Sequence, residues 1–114
     1  GSGTRVIVDA LLARDAIAPS RIVGYGNEEF THAAVAATVA SGGADAGLGV
    51  QAAAARHGLA FVPLLEERYL FVCRRDRLQS PGVRAFRREL ASARTRQVVT
   101  GLAGYALDRP RERP

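Results

Sequence analysis

Residues 22–50 read IVGYGNEEFTHAAVAATVASGGADAGLGV. Ile22–Tyr25 is a short apolar run suited to a strand. Asn27 is placed to cap a helix whose first turn holds Glu28 and Glu29, where the positive end of the helix dipole favours acids. From about Glu28 to Ala40 the residues are small and mostly apolar, and Ser41-Gly42-Gly43 is a stop signal. Ala44–Val50 then predicts a buried strand, with glycines where another element comes close.

The same alternation extends both ways. Residues 4–16 place Val8, Leu11, Leu12 and Ala16 on one helical stripe, with Arg5 and Asp9 spaced i, i+4 on another face. Pro19-Ser20 is expected to break that helix. Downstream, Gln51–His57 predicts a short helix ended by Gly58, with His57 contributing to its C-terminal cap. Leu59–Leu65 and Arg68–Cys73 predict strands, and Pro81–Ser92 and about Arg94–Leu102 predict two last helices. The order α β α β α β β α α points to an α/β fold, a mostly parallel sheet with helices on both faces. Such sheets bind ligands at the carboxyl ends of their strands, which would gather three loops: Gly1–Thr4, Tyr25–Thr31 and Gly47–Gln51.

Composition narrows the chemistry. A chain of 114 residues makes one domain. Its single cysteine, Cys73, excludes an internal disulfide framework and a Cys-pair zinc site. Its place in the apolar LFVC run predicts an inert buried thiol. All sixteen basic residues are arginine. A Walker phosphate loop and a Schiff-base enzyme both need lysine, so neither is available. Residues 1–73 hold five arginines against seven acids, a net of −2, and residues 74–114 hold eleven against four, a net of +7, which together reproduce the chain's +5.

The basic third raises nucleic acid or an acidic protein as a partner. It lacks the regular interleaving of aromatics that base stacking uses, so a solvated helix face and a disordered basic tail over 106–114 are expected instead. No apolar run is long enough to cross a bilayer, and no secretory pattern opens the chain, so a cytoplasmic location is expected.

Gly1-Ser2-Gly3-Thr4 precedes the first helix. Gly1-Ser2 matches the scar left by tag removal, yet the four residues also match an anion-binding loop: backbone N–H groups at a helix start, two hydroxyls, and glycine for close approach. Arg5 can add charge. Thr31 and His32 fall at the start of the second helix, where exposed N–H groups face the same edge. Tyr25 is placed to stack on or hydrogen-bond a ligand. Glu28 and Glu29 would repel an oxyanion, which argues against a simple inorganic anion as sole ligand. Asp45 would be costly to bury unpaired, so it is expected to cap a backbone group or pair with an arginine. Catalysis finds no support. There is no nucleophile elbow, no metal-binding histidine spacing and no carboxylate pair, so the chain is not expected to be an enzyme and no cofactor or metal is expected.

Taken in order, GSGTRVIVDALLARD, GYGNEEFTHAAVAATVASGGADAGLGVQAAA and FVPLLEERYLFVCRRD resemble a periplasmic-binding-protein-like domain of bacterial cytoplasmic proteins. These are often fused to a helix-turn-helix DNA-binding domain or to a molybdopterin-biosynthesis domain, and are related to the molybdate-type, type II solute-binding proteins. The resemblance covers roughly residues 1–105 and implies a ligand-binding lobe. In that family the ligand lies between two lobes, and this chain resembles the second lobe alone. The resemblance therefore implies a small anionic ligand, such as a molybdate-like oxyanion or a pterin-type compound. Ser2, Gly3, Thr4, Arg5, Tyr25, Thr31 and His32 would hold it. It also implies a partner lobe or a second copy of the chain against the apolar Tyr69–Val72, hence a homo-oligomer, with nucleic acid reached only through a fused domain and no membrane partner.

Overall fold

A computed structural model describes residues 3–107 of the chain. The expected boundaries at Gly1-Ser2 and most of the expected 106–114 tail lie outside the described residues. The chain divides into two units, the first ending at Phe61 and the second beginning at Val62. The first unit carries α1 (Gly3–Arg14), a 3-10 turn (Pro19–Arg21), α2 (His32–Ala40) and α3 (Gln51–Arg56). The second carries a 3-10 turn (Arg75–Arg77), α4 (Pro81–Leu90) and α5 (Ala93–Thr100).

No described residue lies in a strand, so the expected α/β fold with a parallel sheet is overturned: the regular structure is helical throughout. Local hydrogen bonding accounts for one of the four missing strands. Ile22–Tyr25 closes turns instead, the amide of Ile22 donating to Pro19 at 3.0 Å and that of Tyr25 to Ile22 at 3.3 Å, with Gly24 at φ 81°. The other three runs have strand-like composition but join no sheet among the described residues. Ala44–Gly49 and Ala60–Cys73 make no backbone–backbone hydrogen bond among the described residues. Apolar, β-branched composition suits a pleated surface, but a strand exists only when a neighbour takes its N–H and C=O groups.

The helices hold closer to expectation, with shifted ends. α2 begins at His32, not Glu28, because Thr31 supplies the cap: its Oγ1 accepts from the amide of Ala34 at 3.0 Å. Asn27 instead closes a turn, its amide donating to Gly24 at 2.9 Å. The C-termini of α2 and α3 share one device. Gly43 N–H reaches the Thr38 carbonyl and Gly42, at φ 81°, reaches Val39; Leu59 reaches Ala54 and Gly58, at φ 64°, reaches Ala55. These crossed bonds are Schellman motifs with a left-handed residue just past the helix. α1 ends the same way, Ile17 donating to Leu12 and Ala16 to Ala13, but with Ala16 at φ 53° where glycine would be unstrained. It therefore stops ahead of Pro19 rather than at it.

In the first unit α2 packs on α3, and Ala36 is the buried apolar residue among those described. Of the two glycines of ADAGLG, Gly47 marks a close approach and Gly49 does not. A Cβ at Gly47 would lie 2.5 Å from Val35 Cγ1. In the second unit α4 packs on α5, Phe71 meets Phe86 edge-on at 5.0 Å between ring centroids, and Tyr69 stacks on Tyr105 at 6.5 Å. Cys73 is exposed, correcting the expected buried thiol: its run joins no sheet among the described residues that would enclose it.

Candidate functional site

The first unit has two hollows that share a wall. A small one of about 90 Å³ is lined by Thr4, Glu29, Phe30, Thr31, His32, Val35 and Leu48. A wider groove of about 1060 Å³ is bordered by Thr4, Arg5 and Tyr25, and by the 21–30 and 42–48 segments. Thr4, Glu29, Phe30, Val35 and Leu48 line both. Of the expected site residues, Thr4, Arg5, Tyr25, Thr31 and His32 thus gather around adjoining space. Gly3 opens α1 but lines neither hollow. Ser2 lies outside the described residues.

Local sequence explains this placement. Thr4 and Arg5 stand in the first turn of α1, and Thr31 and His32 at the first turn of α2, so both helices present their amino ends here. The first amides of a helix lack intrahelical acceptors and carry partial positive charge. The Thr31 hydroxyl oxygen is already taken as acceptor by the Ala34 amide, which leaves its O–H to donate.

Arg5 is not the free cation the sequence suggested, nor does it pair with Asp9. Its guanidinium lies 3.4 Å from Glu28 Oε1 and 4.5 Å above the centroid of the Tyr25 ring. Asp9 instead accepts a hydrogen bond from the Tyr25 hydroxyl. That bond holds the Tyr25 phenol above its ordinary range, because ionisation would set two negative oxygens together; the nearby Arg5 acts in the opposite sense. Glu29 accepts from the Thr38 hydroxyl at 2.9 Å, so neither glutamate serves the helix start as expected. Asp45 is exposed, which removes the desolvation cost that predicted a partner for it.

The groove therefore holds Arg5 and Arg21 against Glu28, Glu29 and Asp45. Two cations against three carboxylates give it hydrogen-bond acceptors as well as donors. Phe30, Val35 and Leu48 went unnoticed in the sequence. The signal was there: Phe30 and Val35 flank the Thr31 cap at the spacing of a hydrophobic staple. Phe30 is 99% exposed, so it stands open beside the hollow rather than closed onto the helix.

This chain belongs to the PBP-like family, whose domain, described as a PBP superfamily domain, matches residues 1–91. That makes it a periplasmic-binding-protein-like, ligand-binding module. It is similar to an uncharacterized protein of Clostridium pasteurianum, described by its place in the 5′ region of a 2Fe-2S ferredoxin gene. The two are 33% identical over 103 residues, covering 90% of this chain and 91% of that protein. It is also similar to the uncharacterized protein YvgK of Bacillus subtilis strain 168, at 45% identity over 69 residues. That match covers 60% of this chain but only 22% of YvgK, so the chain corresponds to a small part of that relative. No solved structure matches. Among the described residues no helix is long and apolar enough to cross a membrane.

Proposed function

We propose that the first unit captures, without converting it, a small ligand that carries both an anionic group and hydrogen-bond donors. A pterin-type compound meets that description better than a bare molybdate-like oxyanion. The observation that carries the reading is the shared wall of the two hollows. Thr4 brings the amino end of α1 and a hydroxyl, Thr31 and His32 bring the amino end of α2, and Glu28, Glu29 and Asp45 line the groove beside them. Helix amino ends suit the anionic group. Carboxylates suit ring N–H and amino donors, and repel an anion with no donors of its own. Binding of this kind fits a sensing domain of a cytoplasmic regulator or of a molybdenum-cofactor protein.

The test is thermal and chemical unfolding with pterin, molybdate and tungstate added separately. A ligand at a hundred times its Kd stabilises the folded state by about 2.7 kcal/mol. Saturable stabilisation by pterin that is lost in Thr4→Val supports the proposal. Stabilisation by the oxyanions alone replaces the ligand class, and no effect from any of the three removes the reading.

A second reading draws on α4 and α5. Arg84, Arg87, Arg88, Arg94 and Arg96 make no ion pair or side-chain hydrogen bond among the described residues. Such a surface suits phosphates or an acidic protein. Duplex DNA binding that weakens steeply with added salt supports it, and absent or salt-insensitive binding excludes it.

A further inference from the structure

Two aromatic side chains border the wider groove, Tyr25 and Phe30. Tyr25 is already committed. It is half-buried, the Arg5 guanidinium lies 4.5 Å above the centroid of its ring, and its hydroxyl donates to Asp9. Phe30 is the opposite case. It is 99% exposed and stacks on no other ring among the described residues. Phe30 and Val23 are the two most exposed large apolar side chains among the described residues, and both border this groove. Scattered exposed apolar side chains are ordinary, but their concentration at one groove marks a surface that a ligand covers.

Phe30 also stands where the two hollows meet. The groove, at about 1060 Å³, is an order of magnitude larger than the hollow of about 90 Å³. A ring system therefore belongs in the groove and a compact group in the hollow. Phe30, Val35 and Leu48 form the apolar part of the wall common to both, and Glu29 is beside Phe30 in that wall. Glu29 Oε1 accepts from the Thr38 hydroxyl, which leaves Oε2 open to a further donor.

We infer that Phe30 is the stacking platform of this site, and that it selects a flat conjugated ring over a puckered one of the same charge and donors. The inference rests on the capture reading above and adds ring shape to it. A flat ring laid on Phe30 takes the phenyl face out of water and turns one edge toward Glu29, whose Oε2 receives a ring N–H. The anionic group of the same ligand then reaches the hollow. A puckered ring touches the phenyl face with fewer atoms, and dispersion contacts fade steeply across even a small gap. Stacking on an aromatic face tolerates many ring types, so the carboxylates read the donors while Phe30 reads planarity.

The test is calorimetric titration of the whole chain with pterin-6-carboxylate, orotate and dihydroorotate. The last two share a carboxylate and ring N–H groups, but orotate is flat and dihydroorotate is puckered. The flat probes should bind, and orotate should bind about tenfold or more tighter than dihydroorotate. Phe30→Ala should weaken the flat probes about tenfold or more and erase that preference, Phe30→Trp should keep it, and Phe30→Leu should not restore it. An exposed side chain has little packing to lose, so the urea midpoint of Phe30→Ala should match that of the parent. Retained preference in Phe30→Trp guards against a folding artefact. Equal binding of orotate and dihydroorotate overturns the inference, as does a Phe30→Ala variant that titrates like the parent with whichever probe binds. In both cases capture at the helix amino ends stands. Binding of none of the three removes both readings.

Discussion

The guanidinium of Arg5 lies 4.5 Å above the centre of the Tyr25 ring while reaching to within 3.4 Å of Glu28. One side chain on α1 thereby ties down the loop that enters α2 at both the aromatic and the carboxylate. Arg5 is only 26% exposed and Glu28 is 65% exposed, so the ion pair is wet on one side and contributes little alone. The stacking over Tyr25 is the better shielded part. A double-mutant cycle of Arg5→Ala with Tyr25→Leu should return a coupling of about 0.5–1 kcal/mol in urea unfolding. A coupling within error of zero would show that the contact does not hold the loop.

The Tyr25 hydroxyl and the Asp9 carboxylate make a pair that should be visible on titration. The phenol is raised, chiefly by the hydrogen bond to Asp9. A group whose folded pKa lies above its unfolded one binds its proton more tightly when folded. Its contribution is complete below the ordinary tyrosine range near 10 and is lost as pH rises through the folded value. Absorbance at the tyrosinate band should therefore show a late-titrating component from two phenols, of which Tyr25→Phe removes one and leaves the other. Tyr69 is also raised, by desolvation first and then by Glu67, so Tyr69→Phe is the needed control.

Ala16 occupies a left-handed conformation, φ 53°, at the end of α1, where Gly42 and Gly58 do the same work after α2 and α3. The left-handed region costs a residue with a Cβ roughly 1–2 kcal/mol, while glycine returns about half of that through its freer unfolded chain. Ala16→Gly should therefore stabilise the first unit by about 0.5–1 kcal/mol, read as a higher urea midpoint at constant slope. Loss of stability would mean that the Schellman turn is not set by this residue.

The helices were legible because their signals are local. Ser41-Gly42-Gly43 and Gly58 end α2 and α3 where the sequence placed those ends, since a left-handed glycine needs nothing from the rest of the chain. The start of α2 was misplaced for an equally local reason: Thr31 outcompetes Asn27 because its hydroxyl meets the Ala34 amide, while the acids after Asn27 are held by Arg5 and Thr38. The strands were misread because composition describes what a residue suits, and a ladder needs a second segment that composition does not name. Beside the two hollows, Thr4, Arg5, Thr31 and His32 were placed from the two helix starts and Tyr25 from the loop that precedes α2. Arg5's true partner, Glu28, lay beyond helical spacing and could not be read from the i, i+4 rule.

Gly47 is the position where groove and packing meet. It borders the wider groove, and a Cβ placed there would fall 2.5 Å from Val35 Cγ1 on α2. Val35 is β-branched and held to one rotamer in a helix, so it cannot swing aside cheaply. Relief must come from moving the 44–48 segment outward, which shifts Leu48 in the wall common to both hollows. Gly47→Ala should destabilise the first unit by about 1–3 kcal/mol, the usual range for overpacking. It should also weaken ligand capture, while Gly49→Ala, whose added Cβ would meet His32 Nδ1 at an ordinary 3.6 Å, should cost less on both counts. Measuring the urea midpoint and pterin titration for both variants separates the positions. Equal effects would show that Val35 does not set the distance between this segment and α2.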